Sequence, residues 1–122
     1  MKIFVSHSRD FDYKNELYKP IRKSVLNNIY EFFFPHENEN SINTEEIIKN
    51  SDLILAEVSF PSTGEGIELG WANMLDVPIL CVCKEGAKMS GSLKYITKDF
   101  IIYKDSTDLV NQIAKLMNSY SK

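Results

Sequence analysis

"DLILAEVSFPSTGEGIELGWANMLDVPILC", residues 52–81, is the stretch whose reading decides the fold. Residues 52–59, "DLILAEVS", form a compact apolar run, the pattern of a strand covered on both faces. "FPSTGEG" follows as turn chemistry, with Pro61 fixing one φ angle and Gly64 and Gly66 freeing the backbone. Residues 67–76, "IELGWANMLD", read as a helix that turns Leu69, Ala72 and Leu75 or Met74 toward a sheet. "VPILCVCK", 77–84, is again nearly continuous in apolar residues. Strand, helix and strand joined by short connections describe a crossover between parallel strands.

The same alternation extends in both directions. "KIFVS" (2–6) and "YEFFF" (30–34) read as strands. Between them, residues 12–28 carry Tyr13, Leu17, Ile21 and Val25 at helical spacing, with Pro20 expected to kink or interrupt the helix. "PHENENSIN" is a polar loop, and "TEEIIKN" (44–50) a short helix capped by Asn43 or Thr44. Downstream, "SGSLKYI" (90–96) is a short helix and "DFIIYKD" (99–105) a fifth strand. Residues 106–120 form a last helix with Ser106 as N-cap and Leu109, Ile113, Leu116 and Tyr120 on its apolar face. Five strands alternating with helices predict an α/β fold: a five-stranded parallel, doubly wound sheet in a flavodoxin-like or Rossmann-like three-layer sandwich. Ligands in such sheets bind beyond the carboxyl ends of the strands, which directs attention to "SHSRDFD", "PHENENS", "SFPSTGEG" and "KEGAKMSGS".

Bulk properties narrow the function. A chain of 122 residues, 43% hydrophobic and 25% charged, suits one globular domain (1–122) that needs no disulfide or metal. A net charge of −3 argues against duplex nucleic acid or an anionic membrane as partner, though not against a small phosphorylated ligand. Cys81 and Cys83 read as reduced thiols, and with two His a structural metal site is not expected. The N-terminus offers no apolar stretch long enough for a signal peptide or membrane span, so the cytoplasm is the expected compartment.

Within "SFPSTGEG", Ser59, Ser62 and Thr63 supply hydroxyls, and the following helix supplies free N–H groups and a partial positive charge. Glu68, read as lying in the first turn, is expected to stay ionised there. A carboxylate in this setting suits gripping sugar hydroxyls or attacking an electron-poor carbon. It could equally do no more than complement the helix dipole. Glu65 reads as solvated.

Residues 52–81 resemble the signature of the nucleoside 2-deoxyribosyltransferase family, and most of all its 2'-deoxynucleoside 5'-monophosphate N-glycosidases. The likeness is carried by a strand ending in "AEVS", then "PS-x-G-x-G-x-ELG-x-A", then "PILC". The resemblance implies Glu68 as nucleophile, Ser62 as a contact on the sugar-phosphate side, and Ser92 as a phosphate contact supplied by a neighbouring subunit. A homodimer with a shared site and a small nucleoside or nucleotide substrate follow from it, with no cofactor. The implied reaction cleaves or transfers the N-glycosidic bond of a 2'-deoxyribonucleoside or its 5'-monophosphate through a covalent glycosyl-glutamate.

Two departures stand out. Where the family usually has an aspartate before "DLILAEV", this chain has Thr44, with Glu45 one position along and Glu57 as another candidate second carboxylate. After the first strand stands "SHSRDFD" in place of a "GS" pair. There Ser6 and Arg9 are candidate substrate contacts, and His7 could protonate a leaving base or simply bond to backbone. "IFVSHSRDFDYKNEL" also resembles the opening of TIR domains, which implies an alternative NAD glycohydrolase. A third alternative is a pocket that binds a nucleotide without reacting.

Overall fold

The computed structural model describes residues 1–38 and 42–120. Five strands form one parallel sheet: β1 (Lys2–His7), β2 (Glu31–Phe33), β3 (Leu53–Glu57), β4 (Ile79–Lys84) and β5 (Phe100–Tyr103). Their order is β2-β1-β3-β4-β5, the doubly wound order expected from the alternation of elements.

The period-two alternation of each strand sends its side chains into two cores. Ile3, Val5, Leu53, Leu55, Leu80 and Val82 face one side, where they meet Leu17, Ile21, Leu26, Leu109, Ile113 and Met117. Those partners come from a π-turn (Lys14–Tyr18), from α1 (Lys19–Arg22) and α2 (Leu26–Ile29), and from the C-terminal helix. Phe4, Ile54, Ala56, Ile79 and Cys81 face the other side, against Ile48 of α3 (Thr44–Lys49) and Leu69 and Ala72 of α4 (Thr63–Met74). The C-terminal helix is α5, Ser106–Tyr120. Each fully buried Leu or Ile contributes roughly 1.5–3 kcal/mol by leaving water, so both layers of helices are held to the sheet chiefly by these contacts.

Several local expectations are corrected. The stripe over 12–28 is not one helix. The Lys19 N–H bonds to the Lys14 carbonyl, five residues back, and Pro20 falls in the first turn of α1. A wide turn ahead of a proline avoids the clash its ring makes in a regular helix. Val25 is 64% exposed rather than buried. Asn43 caps α3 through the Glu45 N–H. Asp105 caps α5 by accepting from the Asp108 N–H, and the Ser106 hydroxyl donates instead to the Glu16 carbonyl. On α5 the apolar face comprises Leu109, Ile113 and Met117, with Leu116 packed at its edge. The Tyr120 side chain and part of the polar loop, 39–41, lie outside the described residues.

The correction with most consequence concerns α4. It starts at Thr63, four residues earlier than the glycines suggest, with Ser62 as N-cap accepting from the Glu65 N–H at 3.3 Å. Glu65 therefore occupies the first turn and Glu68 the second. Gly64 and Gly66 are helical and do not adopt positive φ. Met74 and Leu75, expected against the sheet, are exposed, and Asp76 leaves the helix with φ of 58°.

Candidate active site

Chain order reverses direction at β1, which pairs with β2 on one side and β3 on the other. The crevice beyond the carboxyl ends of β1 and β3 is the topological switch point, the place where this fold binds ligands. His7 and Glu57 are register partners at those ends. The segment after β3 leads directly into α4, so the crevice brings together residues from the first strand, the third strand and the helix behind "FPSTGEG".

Glu68 is half-buried on the flank of α4 that faces β1 and α3. The buried Ser6 hydroxyl donates to its Oε1 at 2.8 Å, and the Thr44 side chain hydrogen-bonds the same carboxylate. Burial pushes the Glu68 carboxyl up from its ordinary range, while the bonds from Ser6 and Thr44 favour the charged form and hold it back. Ser6 is thus brought to the expected nucleophile as a support. Thr44, standing where the resemblance implies an aspartate, acts on the same carboxylate through its hydroxyl.

Around the same crevice lie rings. His7 lies 4.5–5.3 Å by centroid from Tyr13, Tyr18 and His36, Tyr13 lies 5.2 Å from Tyr18 and 5.9 Å from His36, and Phe11 stacks on Phe60 at 5.4 Å. The negative charge of Glu68 is among the influences that raise the Tyr18 phenol, after burial.

His7 does not fit the role of proton donor. It is 5% exposed, its Nδ1 lies 2.6 Å from the Ser8 carbonyl, and its Nε2 lies 2.5 Å from the Tyr18 hydroxyl. With Nδ1–H donating, Nε2 accepts from Tyr18, and both nitrogens are occupied. Burial drives its pKa down to about 4, helped by the neighbouring charges of His36 and Arg9, so the ring is neutral at pH 7. Glu57 is likewise covered: it accepts from the Ser59 N–H at 2.7 Å, from the Ser59 hydroxyl at 2.8 Å and from the Tyr103 hydroxyl. That arrangement ties the ends of β3 and β5 together and leaves no open oxygen face for a substrate. Arg9 is exposed at the end of β1, close enough for its charge to depress both His7 and His36.

The other flank of α4 borders a cavity of about 300 Å³. Ser62, Glu65 and Gly66 line it, together with Ser90, Ser92 and Leu93. Ser90 and Ser92 share a hydrogen bond of 2.9 Å. Ser62 and Ser92, expected to meet across two subunits, line one cavity within a single chain. Glu68 is not part of its wall. Gly64 is exposed, and a Cβ added at either Gly64 or Gly66 meets nothing within 4 Å, so these positions leave open surface for an approaching molecule.

Glu65, expected in solvent, is 4% exposed. Its Oε2 is buried with no hydrogen-bond partner. Burial, then the charges of Glu57 and Glu68, push its carboxyl up to about 9, so it is protonated at neutral pH. The signal for this residue was the spacing S-x-x-E at 62–65, the mark of a helix start with Glu at the third position. Among the described residues, no group of three or more His, Cys, Asp or Glu side chains could hold a metal ion. No helix among them is long and apolar enough to cross a membrane.

No protein-family model matches the sequence, and no curated protein matches it. Solved structures do. The CMP N-glycosidase of Clostridium botulinum is 21% identical with a TM-score of 0.65, over 93% of this chain and 98% of that one. A 2-deoxyribosyltransferase from Bacillus psychrosaccharolyticus is 17% identical with a TM-score of 0.69, over 89% and 90%. The signal receiver domain of a Luxo repressor protein from Vibrio parahaemolyticus is 16% identical with a TM-score of 0.56, over 98% and 91%. Two enzymes and a signalling domain share this architecture, so what the likeness establishes is the fold: an α/β three-layer sandwich around a five-stranded parallel sheet of flavodoxin-like order.

Proposed function

We propose that this protein is an enzyme of the nucleoside 2-deoxyribosyltransferase family that cleaves or transfers the N-glycosidic bond of a 2'-deoxyribonucleoside or its 5'-monophosphate. The observation that carries the reading is the Glu68 carboxylate, held by Ser6 at the switch point between β1 and β3. The signature in residues 52–81 and the likeness to a CMP N-glycosidase and to 2-deoxyribosyltransferases support it.

The chemistry follows from what the crevice offers. A Glu68 oxygen attacks C1' of the sugar as the C1'–N bond breaks, and the bonding pair leaves with the base, which takes up a proton. Ser6 and Thr44 keep the carboxylate charged and aimed before attack. The rings at Phe11, Tyr13 and Phe60 offer faces on which a planar base stacks. Water, or a second base, then attacks C1' of the glycosyl ester and returns Glu68 as carboxylate. His7 being neutral and covered, the departing base draws its proton from elsewhere, solvent included.

The test is chromatography of reactions with each deoxynucleoside, each 5'-monophosphate and NAD. Free base from deoxyribosyl substrates alone is expected. Glu68→Gln should lower its release by a factor on the order of 10² or more while ligand binding persists. Rapidly quenched wild-type samples should carry one deoxyribosyl group on the peptide containing Glu68. Base release from NAD instead, or undiminished activity in the variant, refutes the reading; binding with no base released from any substrate leaves a non-catalytic nucleotide pocket in its place.

A further inference from the structure

The chemistry at Glu68 leaves another buried carboxyl beside the crevice without a part to play. Glu57, at the end of β3, is 1% exposed, and its oxygens accept from the Ser59 N–H, the Ser59 hydroxyl and the Tyr103 hydroxyl. We propose that Glu57 is a positioning residue that never touches substrate and, through Ser59, sets the segment 59–62 that presents Phe60 and Ser62 to the ligand. The role rests on the reading of the crevice at Glu68 as the substrate site.

Ser59 makes the connection. Its hydroxyl donates to Glu57 Oε2 at 2.8 Å and accepts from the Lys84 N–H at 2.8 Å, which fastens the end of β4 to the same atom. Tyr103 reaches the carboxyl from β5 across β4, which lies between the two strands. The chain leaving β3 is thereby held at Ser59 to the carboxyl ends of β4 and β5. Ser62 anchors the segment's other end as the cap of α4, and it lines the cavity beside that helix. Between the anchors, the ring of Pro61 restricts φ, and Phe60, 38% exposed, stacks on Phe11. A short segment pinned at both ends has little freedom, so the position of Ser59 decides where Phe60 and Ser62 point.

Holding the strands together does not call for a carboxyl. The sheet ladder already joins β3, β4 and β5, with Glu57 paired to Val82 and Val82 to Ile101. Burial strips a carboxyl of its hydration, and apolar side chains of similar volume often serve stability as well or better. What an apolar side chain cannot do is fix an N–H and two hydroxyls in set directions. A second catalytic carboxylate is the competing role, and it fails on access because the oxygens are covered. Glu57 is also separate from Ser6 and Thr44, the groups that bond Glu68.

Steady-state kinetics with each deoxynucleoside and its 5'-monophosphate test this in Glu57→Gln and Tyr103→Phe, with Kd measured by calorimetry for the same compounds in a Glu68→Gln background. Glu57→Gln should raise KM and Kd about fivefold or more and leave kcat within about twofold. The acid limb of the pH–rate profile should stay in place, since Ser6 and Thr44 are untouched. Tyr103→Phe, which leaves Glu57 both bonds from Ser59, should raise KM and Kd about threefold and carries the test alone if Glu57→Gln does not fold. The double variant should fall short of the product of the single effects, because both substitutions break one shared bond. By hydrogen exchange, the Ser59 and Lys84 amides should open about tenfold faster in Glu57→Gln, with Phe4 and Val5 of β1 changed by less than about threefold. Base release with unmoved KM and Kd, a fall in kcat at constant KM, or equal acceleration at Phe4 and Val5 overturns the assignment, as does the absence of any nucleotide binding. No base release from any substrate, with Kd and exchange responding as expected, sinks the reaction at Glu68 and supports the role of Glu57.

Discussion

At the scale of single residues, α4 places two glutamates three positions apart in opposite electrostatic situations. Glu68 has two hydroxyl donors, while the Oε2 of Glu65 has none. Glu68 was legible from the signature around it. Glu65 was not, because the glycines on either side read as loop and an acidic residue in a loop reads as solvated. The difference at Glu68 is testable through Ser6. Removing its hydroxyl in Ser6→Ala takes away a bond to the charged form, so the Glu68 pKa, already raised by burial, rises further. The acid limb of the pH–rate profile for base release should therefore move to higher pH, with activity at pH 8 less affected than at pH 6. An unshifted limb would mean that the Ser6 bond does not govern the ionisation of Glu68.

At the scale of elements, the sequence revealed which segments form strands and helices more faithfully than where they begin. Strand interiors were readable because buried parallel strands are continuous apolar runs. The start of α4 was hidden because glycine has low helix propensity and two of them sit in its first turn. What initiates the helix is Ser62, and Ser62→Ala should cost about 1 kcal/mol of stability by denaturant titration. Gly66→Ala should do the reverse. Its Cβ meets no atom within 4 Å and its backbone is helical, so the substitution should stabilise by up to ~1 kcal/mol. If Gly66 serves to let a ligand approach the backbone, the same variant binds that ligand more weakly although it is more stable. A fall in stability would show instead that the helix cannot accept a side chain there.

At the scale of the whole molecule, the crevice at the sheet's carboxyl edge concentrates buried titratable groups, and their linkage sets how global stability varies with pH. The doubly wound order legible in the sequence located that edge, but not the burial of His7 and Glu65, which arises only when β1, β3 and α4 converge. His7 has a folded pKa of about 4 against an ordinary 6.5. The unfolded chain binds its proton first, so stability is lost as pH falls from 6.5 to 4, by about 1.4 kcal/mol per unit. Glu65 has a folded pKa of about 9 against 4.5. Here the folded chain holds the proton longer, so stability is present below 4.5 and lost at the same rate as pH rises toward 9. Between 4.5 and 6.5 the two slopes oppose and nearly cancel. Above 6.5 the Glu65 slope is no longer opposed by His7, and stability should fall by roughly 3 kcal/mol on reaching pH 9. Beyond that, the buried Cys81 thiol, pushed up to about 12, continues the decline. Urea unfolding across this range should therefore show a plateau near pH 5–6 and a steady loss toward pH 9. Glu65→Gln should abolish the loss above 6.5 and, with the His7 slope unopposed, turn the plateau into a rise from pH 4.5 to 6.5. A variant that still loses stability between pH 6.5 and 9 as steeply as the wild type would show that the uncharged carboxyl of Glu65 does not control the alkaline side of the curve.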